Sequence, residues 1–67
     1  MNDKKCFNKG VELSELGRHE EALKAYEKAV EINPQYAKAW FYKGFALGEF
    51  ERHEEALKAF DKAIEMT

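Results

Sequence analysis

The chain has 67 residues, and its 11 basic and 13 acidic side chains give a net charge of −2. The basic residues are dispersed along the chain, which argues against the clustered basic face of a nucleic-acid binder. The longest apolar run, Ala39–Tyr42, is far shorter than the ~20 residues of a membrane span, and the charged amino terminus does not resemble a secretion signal. We therefore expect a soluble, cytoplasmic protein with no nucleic-acid or membrane partner.

Chemistry that depends on cysteine is also limited by the composition. Cys6 is the only cysteine, so neither an internal disulfide nor a cysteine-ligated zinc site can form. A lone thiol suits a reducing compartment. We expect no metal and no cofactor.

Helix signals dominate the sequence, and no alternation of apolar and polar residues is long enough for a strand. Gly17 can end the first helix because glycine adopts positive φ at little cost, and Asn33-Pro34 ends the second because proline disfavours helical geometry in its predecessor. Two glutamates stand at the start of the second helix of each pair, where the helix dipole favours them. We also expect i,i+4 ion pairs between Glu20 and Lys24 and between Glu54 and Lys58. The predicted helices are α1 Asp3–Leu16, α2 His19–Ile32, α3 Ala37–Phe50 and α4 His53–Met66.

An internal repeat accounts for the similarity between the two halves. The octapeptide RHEEALKA occurs at residues 18–25 and again at 52–59, a displacement of 34 residues. Aligning residues 3–33 with residues 37–67 gives 17 identical pairs out of 31. A fixed period of this length is typical of stacked helical hairpins. The sequence therefore predicts two copies of one antiparallel helical hairpin.

Small and large residues alternate where the two helices of each hairpin should cross. Gly10 and Gly44 lie in the middle of a helix, where glycine costs roughly 0.5–1 kcal/mol relative to alanine. That cost is understandable if the partner helix passes too close for a Cβ. Tyr26 and Phe60 are expected to fill the space at the two crossings.

With this period and these residues, the chain resembles two tetratricopeptide repeats, at residues 3–36 and 37–67. The first repeat supplies the motif residues Gly10, Leu13, Ala22, Tyr26, Ala29 and Pro34. The second repeat supplies Trp40, Gly44, Leu47, Ala56, Phe60 and Ala63. Departures from the motif are Cys6 at the tryptophan, Lys9 and Lys43 at the leucine, no second proline, and Glu51 at the turn glycine. The resemblance implies an all-α fold, a short right-handed solenoid of four helices, and binding of proteins rather than catalysis.

A stripe of eight residues on the first helices of the two hairpins matches the positions that line the concave, peptide-binding surface in that family. Apolar residues occupy its centre and charged residues its ends: Lys4, Phe7, Val11 and Glu15, then Lys38, Phe41, Phe45 and Glu49. We call these eight residues the α1/α3 stripe. Exposed aromatic clusters usually mark interaction sites, so we predict a groove for an apolar or amphipathic peptide or helix with an acidic flank. The alternative is that these residues pack inside the repeat array.

Two other functions are less compatible with the sequence. Phe7 and Val11 stand where a clamp for a peptide's terminal carboxylate needs lysine and asparagine. Cys6 is predicted to lie far from His19 and His53, and ten residues of helix span about 15 Å, so no nucleophile–base pair can form. We expect no enzymatic activity, a packing role for Cys6, and capping or packing roles for the histidines.

The two ends of the repeat pair differ in polarity. Lys5 and Glu12 make the outer face of the first helix polar, so the first repeat reads as an amino-terminal cap. The last helix instead presents apolar residues that a following hairpin would cover: Leu57, Phe60, Ile64 and Met66. The rival hypothesis is therefore self-assembly, as a two-fold homodimer through this end or by exchange of a straightened second hairpin. A further alternative is that the chain is a fragment of a longer array.

Overall fold

A computed structural model describes residues 2–66, and in that range the chain forms four α-helices and no strand. Their bounds are α1 Asp3–Glu15, α2 His19–Ile32, α3 Ala37–Glu49 and α4 His53–Glu65. Each bound lies within one residue of the sequence prediction. The predicted repeat boundary at Thr67 lies outside the described residues. The all-α fold of two stacked hairpins is confirmed.

Each hairpin begins its second helix in the same way, which explains the repeated octapeptide. Arg18 lies just before α2, and its guanidinium donates to both carboxylate oxygens of Glu21, at 2.9 and 3.2 Å. Arg52 does the same to Glu55 before α4, at 3.2 and 2.8 Å. The predicted Glu20–Lys24 and Glu54–Lys58 pairs are not among the ion pairs of the described residues.

Packing between hairpins passes mainly through α2 and α3. Ala22, Ala29 and Ala39 have no exposed surface, and small side chains of this kind let the helices approach closely. Tyr26 and Leu47 are almost fully enclosed, each with 2% of its surface exposed. Because α3 lies against both α1 and α2, the first hairpin is covered by the second, and the outer face of the second is left exposed.

Candidate binding surface

The predicted α1/α3 stripe is split by burial. Its four charged residues are exposed, namely Lys4, Glu15, Lys38 and Glu49. Val11 is half-buried and packs against the core. Phe41 and Phe45 are exposed by 43% and 56%, whereas Phe7 is exposed by only 6%.

Phe7 is held in the core by three tyrosines that lie outside α1. Its ring centroid lies 4.9 Å from that of Tyr42 in an edge-on arrangement, 5.4 Å from Tyr36 and 5.9 Å from Tyr26. Tyr36 lies just before α3 and Tyr42 lies within it, so the second hairpin closes over Phe7. Phe7 is therefore not on the surface beside Phe41 and Phe45. It packs inside the repeat pair, which was the alternative interpretation of the α1/α3 stripe.

Phe41 and Phe45 form an exposed aromatic pair. Their rings meet edge to face, with centroids 5.0 Å apart. The half-buried ring of Phe60 lies beneath both, at 5.3 Å from Phe41 and 5.8 Å from Phe45. Such ring pairs are worth about 0.5–1.5 kcal/mol beyond the area that they bury. Two aromatic side chains are thus both accessible and held in place.

Two open depressions flank this aromatic pair between α3 and α4. One has a volume of about 630 Å³ and an apolar lining made by Ala37, Lys38, Phe41, Tyr42, Ala63 and Ile64. The other, of about 620 Å³, lies toward the turn between the helices and is bordered by Phe45, Glu49, His53, Leu57 and Phe60, among others. Each is large enough to receive a large side chain of a bound protein.

The α4 residues predicted for self-association lie at this same end. Leu57 is 62% exposed and Ile64 68%, while Phe60 and Met66 are half-buried. Their counterparts in the first hairpin are Leu23 and Val30, which are exposed by 6% and 7% because α3 covers them. We call Phe41, Leu57, Phe60 and Ile64 the open face.

The opposite end of the molecule is polar. Lys5, Asn8 and Glu12 lie on the outer side of α1, and all three are exposed. At the equivalent positions α3 has Ala39, Tyr42 and Ala46, which pack against the first hairpin. The two ends of the molecule are therefore not complementary.

Trp40 has two lysines over its ring, an arrangement that the sequence pattern does not predict. Its indole N–H donates to the carbonyl oxygen of Pro34 at 2.8 Å, which fixes the ring. The ammonium groups of Lys43 and Lys62 lie 4.8 and 5.9 Å from the ring centroid. These contacts are cation–π interactions, worth about 0.5–1 kcal/mol at exposed sites. Lys43 occupies the motif's leucine position, so this departure from the motif places an ammonium group over the tryptophan ring.

Groups able to bind a metal ion do not converge in the described part of the chain. Cys6 is a free, half-buried thiol that packs against the apolar core. Residues 2–66 contain no group of three or more histidine, cysteine or carboxylate side chains that could hold a metal ion. Within that range no helix is long and apolar enough to span a bilayer.

Comparison with protein families gives two matches to models of the tetratricopeptide repeat, over residues 4–36 and 25–58. The second match begins within α2 and runs through α3 into α4, so it crosses the junction between the hairpins. Residues 4–58 are thus covered by one family.

Relatives of known structure share this fold. The chain superposes on MamA with a TM-score of 0.91 and 31% identity, over 96% of this chain and 37% of the MamA chain. For a MamA mutant in which an arginine is replaced by glutamate, the TM-score is 0.92 with 36% identity, over 98% of this chain and 48% of the mutant. The uncharacterized protein MJ0572 of Methanocaldococcus jannaschii is 49% identical over 35 residues, which are 52% of this chain and 41% of that protein. The matched region is therefore less than half the length of each relative.

Proposed function

Because the chain belongs to the tetratricopeptide repeat family, we propose that it is a protein-binding module that takes an apolar or amphipathic peptide or helix. The observation that carries the proposal is the exposed pair Phe41 and Phe45, held edge to face above Phe60. Binding hot spots are enriched in large, well-supported side chains. The family supplies scaffolds for protein contacts, so this function involves binding and no catalytic step.

Charge along the α1/α3 stripe suggests how such a ligand is oriented. Lys4 and Lys38 lie at the amino-terminal ends of α1 and α3, and Glu15 and Glu49 lie at the carboxyl-terminal ends. A ligand with an acidic residue beside the lysines would match this pattern. Charges of this kind at the rim set orientation and association rate more than affinity.

The test uses peptides selected for binding to the protein. Random 12-residue peptides displayed on phage are selected against the immobilised wild-type chain, and the strongest is titrated against Phe41→Ala/Phe45→Ala. We expect at least a ~10-fold loss of affinity, because truncation of a hot spot costs about 2 kcal/mol or more. Phe50→Ala is the matched control, since Phe50 is also an exposed phenylalanine, 41% accessible, but lies outside the stripe.

Two results would contradict the proposal. One is unchanged binding by the Phe41→Ala/Phe45→Ala variant. The other is loss of its helical circular dichroism, which would make the two rings part of the core. The Phe50→Ala variant should match the wild type in both measurements.

A second candidate function, self-assembly through α4, is favoured by the exposure of Leu57 and Ile64. Burial of such side chains is worth roughly 1.5–3 kcal/mol each, and their first-hairpin counterparts are buried. A homodimer would pair Leu57, Phe60, Ile64 and Met66 with the same residues of a second copy around a two-fold axis. The polar side of α1 disfavours a head-to-tail arrangement, because Lys5 and Glu12 would be buried unpaired.

Sedimentation velocity over a range of concentrations tests this second candidate. We expect the wild type to associate and Leu57→Glu/Ile64→Glu to remain monomeric. A wild-type monomer at high micromolar concentration, with unchanged sedimentation in the variant, would eliminate the homodimer. Exchange of a straightened second hairpin would instead give a dimer that the two glutamates do not dissociate.

A further inference from the structure

The first hairpin shows what kind of surface covers this type of hairpin. Tyr36, just before α3, and Tyr42 within it both contact Phe7, at centroid distances of 5.4 and 4.9 Å. Tyr42 also lies 5.8 Å from Tyr26. Ala39 and Ala46, on the same side of α3, are buried. The covering surface is thus two aromatic residues and two alanines at positions i, i+3, i+6 and i+10.

The second hairpin presents an equivalent surface, and no helix within residues 2–66 covers it. Phe41 corresponds to Phe7 and Phe60 to Tyr26 by the 34-residue period. Their rings border the two depressions of about 630 and 620 Å³. Tyr42 of α3 contacts Phe7 and Tyr26 of the first hairpin. An aromatic side chain that lay against the second hairpin in the same way would contact both Phe41 and Phe60.

We infer that the open face binds a partner helix whose surface repeats that of α3. In this partner an aromatic residue just before the helix is position i, and a second aromatic is at i+6. Alanine or glycine is at i+3, and a small residue is at i+10. This inference rests on the proposed function and names the partner class for it. The helix runs parallel to α3, as α3 does to α1, because Tyr36 and Phe7 bring their amino-terminal ends together. Small residues are required where the backbone approaches α4, and the aromatics enter the two depressions.

The protein's own first helix does not meet these requirements. In place of Ala39, Tyr42 and Ala46 it carries Lys5, Asn8 and Glu12. Two charges and an amide would be set against the open face without partners, which is costly. A second copy therefore cannot supply the partner helix through α1.

The experiment measures binding of a synthetic helix to the intact chain. The probe is a fluorescein-labelled peptide of residues 35–50 with two added lysines for solubility, titrated by fluorescence anisotropy. The control peptide carries Ala39→Lys, Tyr42→Asn and Ala46→Glu, which are the residues of α1 at those positions. Leu57→Glu/Ile64→Glu changes the open face, and Leu16→Glu changes an exposed leucine, 69% accessible, outside it.

We expect the probe to bind the wild type and Leu16→Glu alike, with affinity at least ~10-fold lower for Leu57→Glu/Ile64→Glu and for the control peptide. Equal binding of the two peptides, or of the two protein variants, would overturn the inference. So would failure of the probe to bind a wild type that sediments as a dimer, because a second copy would then be the occupant.

Binding of the two peptides to the two double variants distinguishes a wrong helix partner from a wrong proposed function. In one outcome, the phage-selected peptide loses affinity for Phe41→Ala/Phe45→Ala but keeps it for Leu57→Glu/Ile64→Glu, and the probe does not bind. The groove function then stands, and the helix partner is wrong. If Phe41→Ala/Phe45→Ala leaves the affinity for the selected peptide unchanged, the proposed function itself fails.

Discussion

Gly10 and Gly44 illustrate how single residues set the distance between helices. A Cβ added to Gly10 would lie 2.5 Å from a ring carbon of Tyr26, and one added to Gly44 would lie 2.7 Å from a ring carbon of Phe60. Carbon atoms in contact are normally ~3.5–4.0 Å apart. The glycine of each hairpin therefore makes room for the aromatic ring of the facing helix, as its mid-helix position predicted.

We expect Gly10→Ala to lower the free energy of unfolding by about 1–3 kcal/mol, since overpacking in a core costs that much. Gly44→Ala should cost less, because the half-buried Phe60 ring can move outward whereas Tyr26 is enclosed. Gly48→Ala is the control: its Cβ would meet nothing within 4 Å, and alanine should stabilise the helix by about 0.5–1 kcal/mol. Urea unfolding of the three variants checks the order, and equal effects at Gly10 and Gly48 would refute it.

Asp3 links the start of α1 to the end of α2. Its carboxylate accepts a hydrogen bond from the side-chain amide of Asn33 at 2.8 Å and one from the backbone N–H of Lys4 at 2.9 Å. The Asn33 bond first, and the Lys4 bond second, lower the pKa of Asp3 below its ordinary value of 3.8. The folded state therefore favours the ionised carboxylate.

This shift makes a pH-dependent contribution to stability. Because the folded-state pKa is below the unfolded one, the contribution is present above about pH 3.8 and is lost as the pH falls through the folded-state value. We expect the wild type to be more stable than Asp3→Asn near neutral pH, with the difference disappearing in acid. Urea unfolding between pH ~7 and ~2 measures it. A difference that persists at the acid end would assign the effect to geometry and not to charge.

At the scale of elements, the two hairpin turns have the same backbone geometry at one position but different residues there. Gly17 has φ of +79° and its counterpart Glu51 has φ of +60°. A residue with a Cβ pays about 1–2 kcal/mol in this left-handed region. Glu51 is therefore held there by the surrounding hairpin, and the second turn is the strained one.

Glu51→Gly should raise the free energy of unfolding by about 0.5–1 kcal/mol, because relief of the strain exceeds the added entropy of glycine in the unfolded chain. Gly17→Glu is the matched reverse change and should lower the free energy of unfolding. Thermal unfolding is a sufficient measurement, since 1 kcal/mol moves the midpoint of a domain this size by about 4–8 °C. If Glu51→Gly had no effect or destabilised the hairpin, the turn would carry no strain. By easing the turn, Glu51→Gly should also suppress any dimer formed by exchange of a straightened hairpin.

At the scale of the whole molecule, equal sequence does not mean equal burial. Leu23 and Leu57 occupy the same position in the repeated octapeptide, but only Leu23 lies beneath another helix. We expect Leu23→Ala to cost about 2–5 kcal/mol and Leu57→Ala to stay within about 0.5 kcal/mol in dilute solution. Chemical unfolding of the two variants compares them directly. A cost at Leu57 that grows with protein concentration would indicate a second copy on the open face, and a large cost independent of concentration would contradict the exposure of this residue.

Local sequence determined the elements of this protein. The 34-residue period, Gly17 and Asn33-Pro34 placed four helices to within one residue, because periodicity, turn residues and helix ends act over a few neighbouring positions. The glycine–aromatic crossings were also predictable, since both partners lie in one hairpin. The Asp3–Asn33 hydrogen bond and the lysines over Trp40 were not, because they depend on the orientation of side chains that are distant in the chain.

Tertiary structure decided which residues of the candidate site are accessible. Phe7 and Phe41 are the same residue at the same position of the repeat, so the sequence assigned both to the groove. The second hairpin brings Tyr36 and Tyr42 over Phe7, and in residues 2–66 no later hairpin does so for Phe41. Burial is a property of the stacked pair and not of the repeat, and for that reason the sequence predicted the surface chemistry but not the surface that remains exposed.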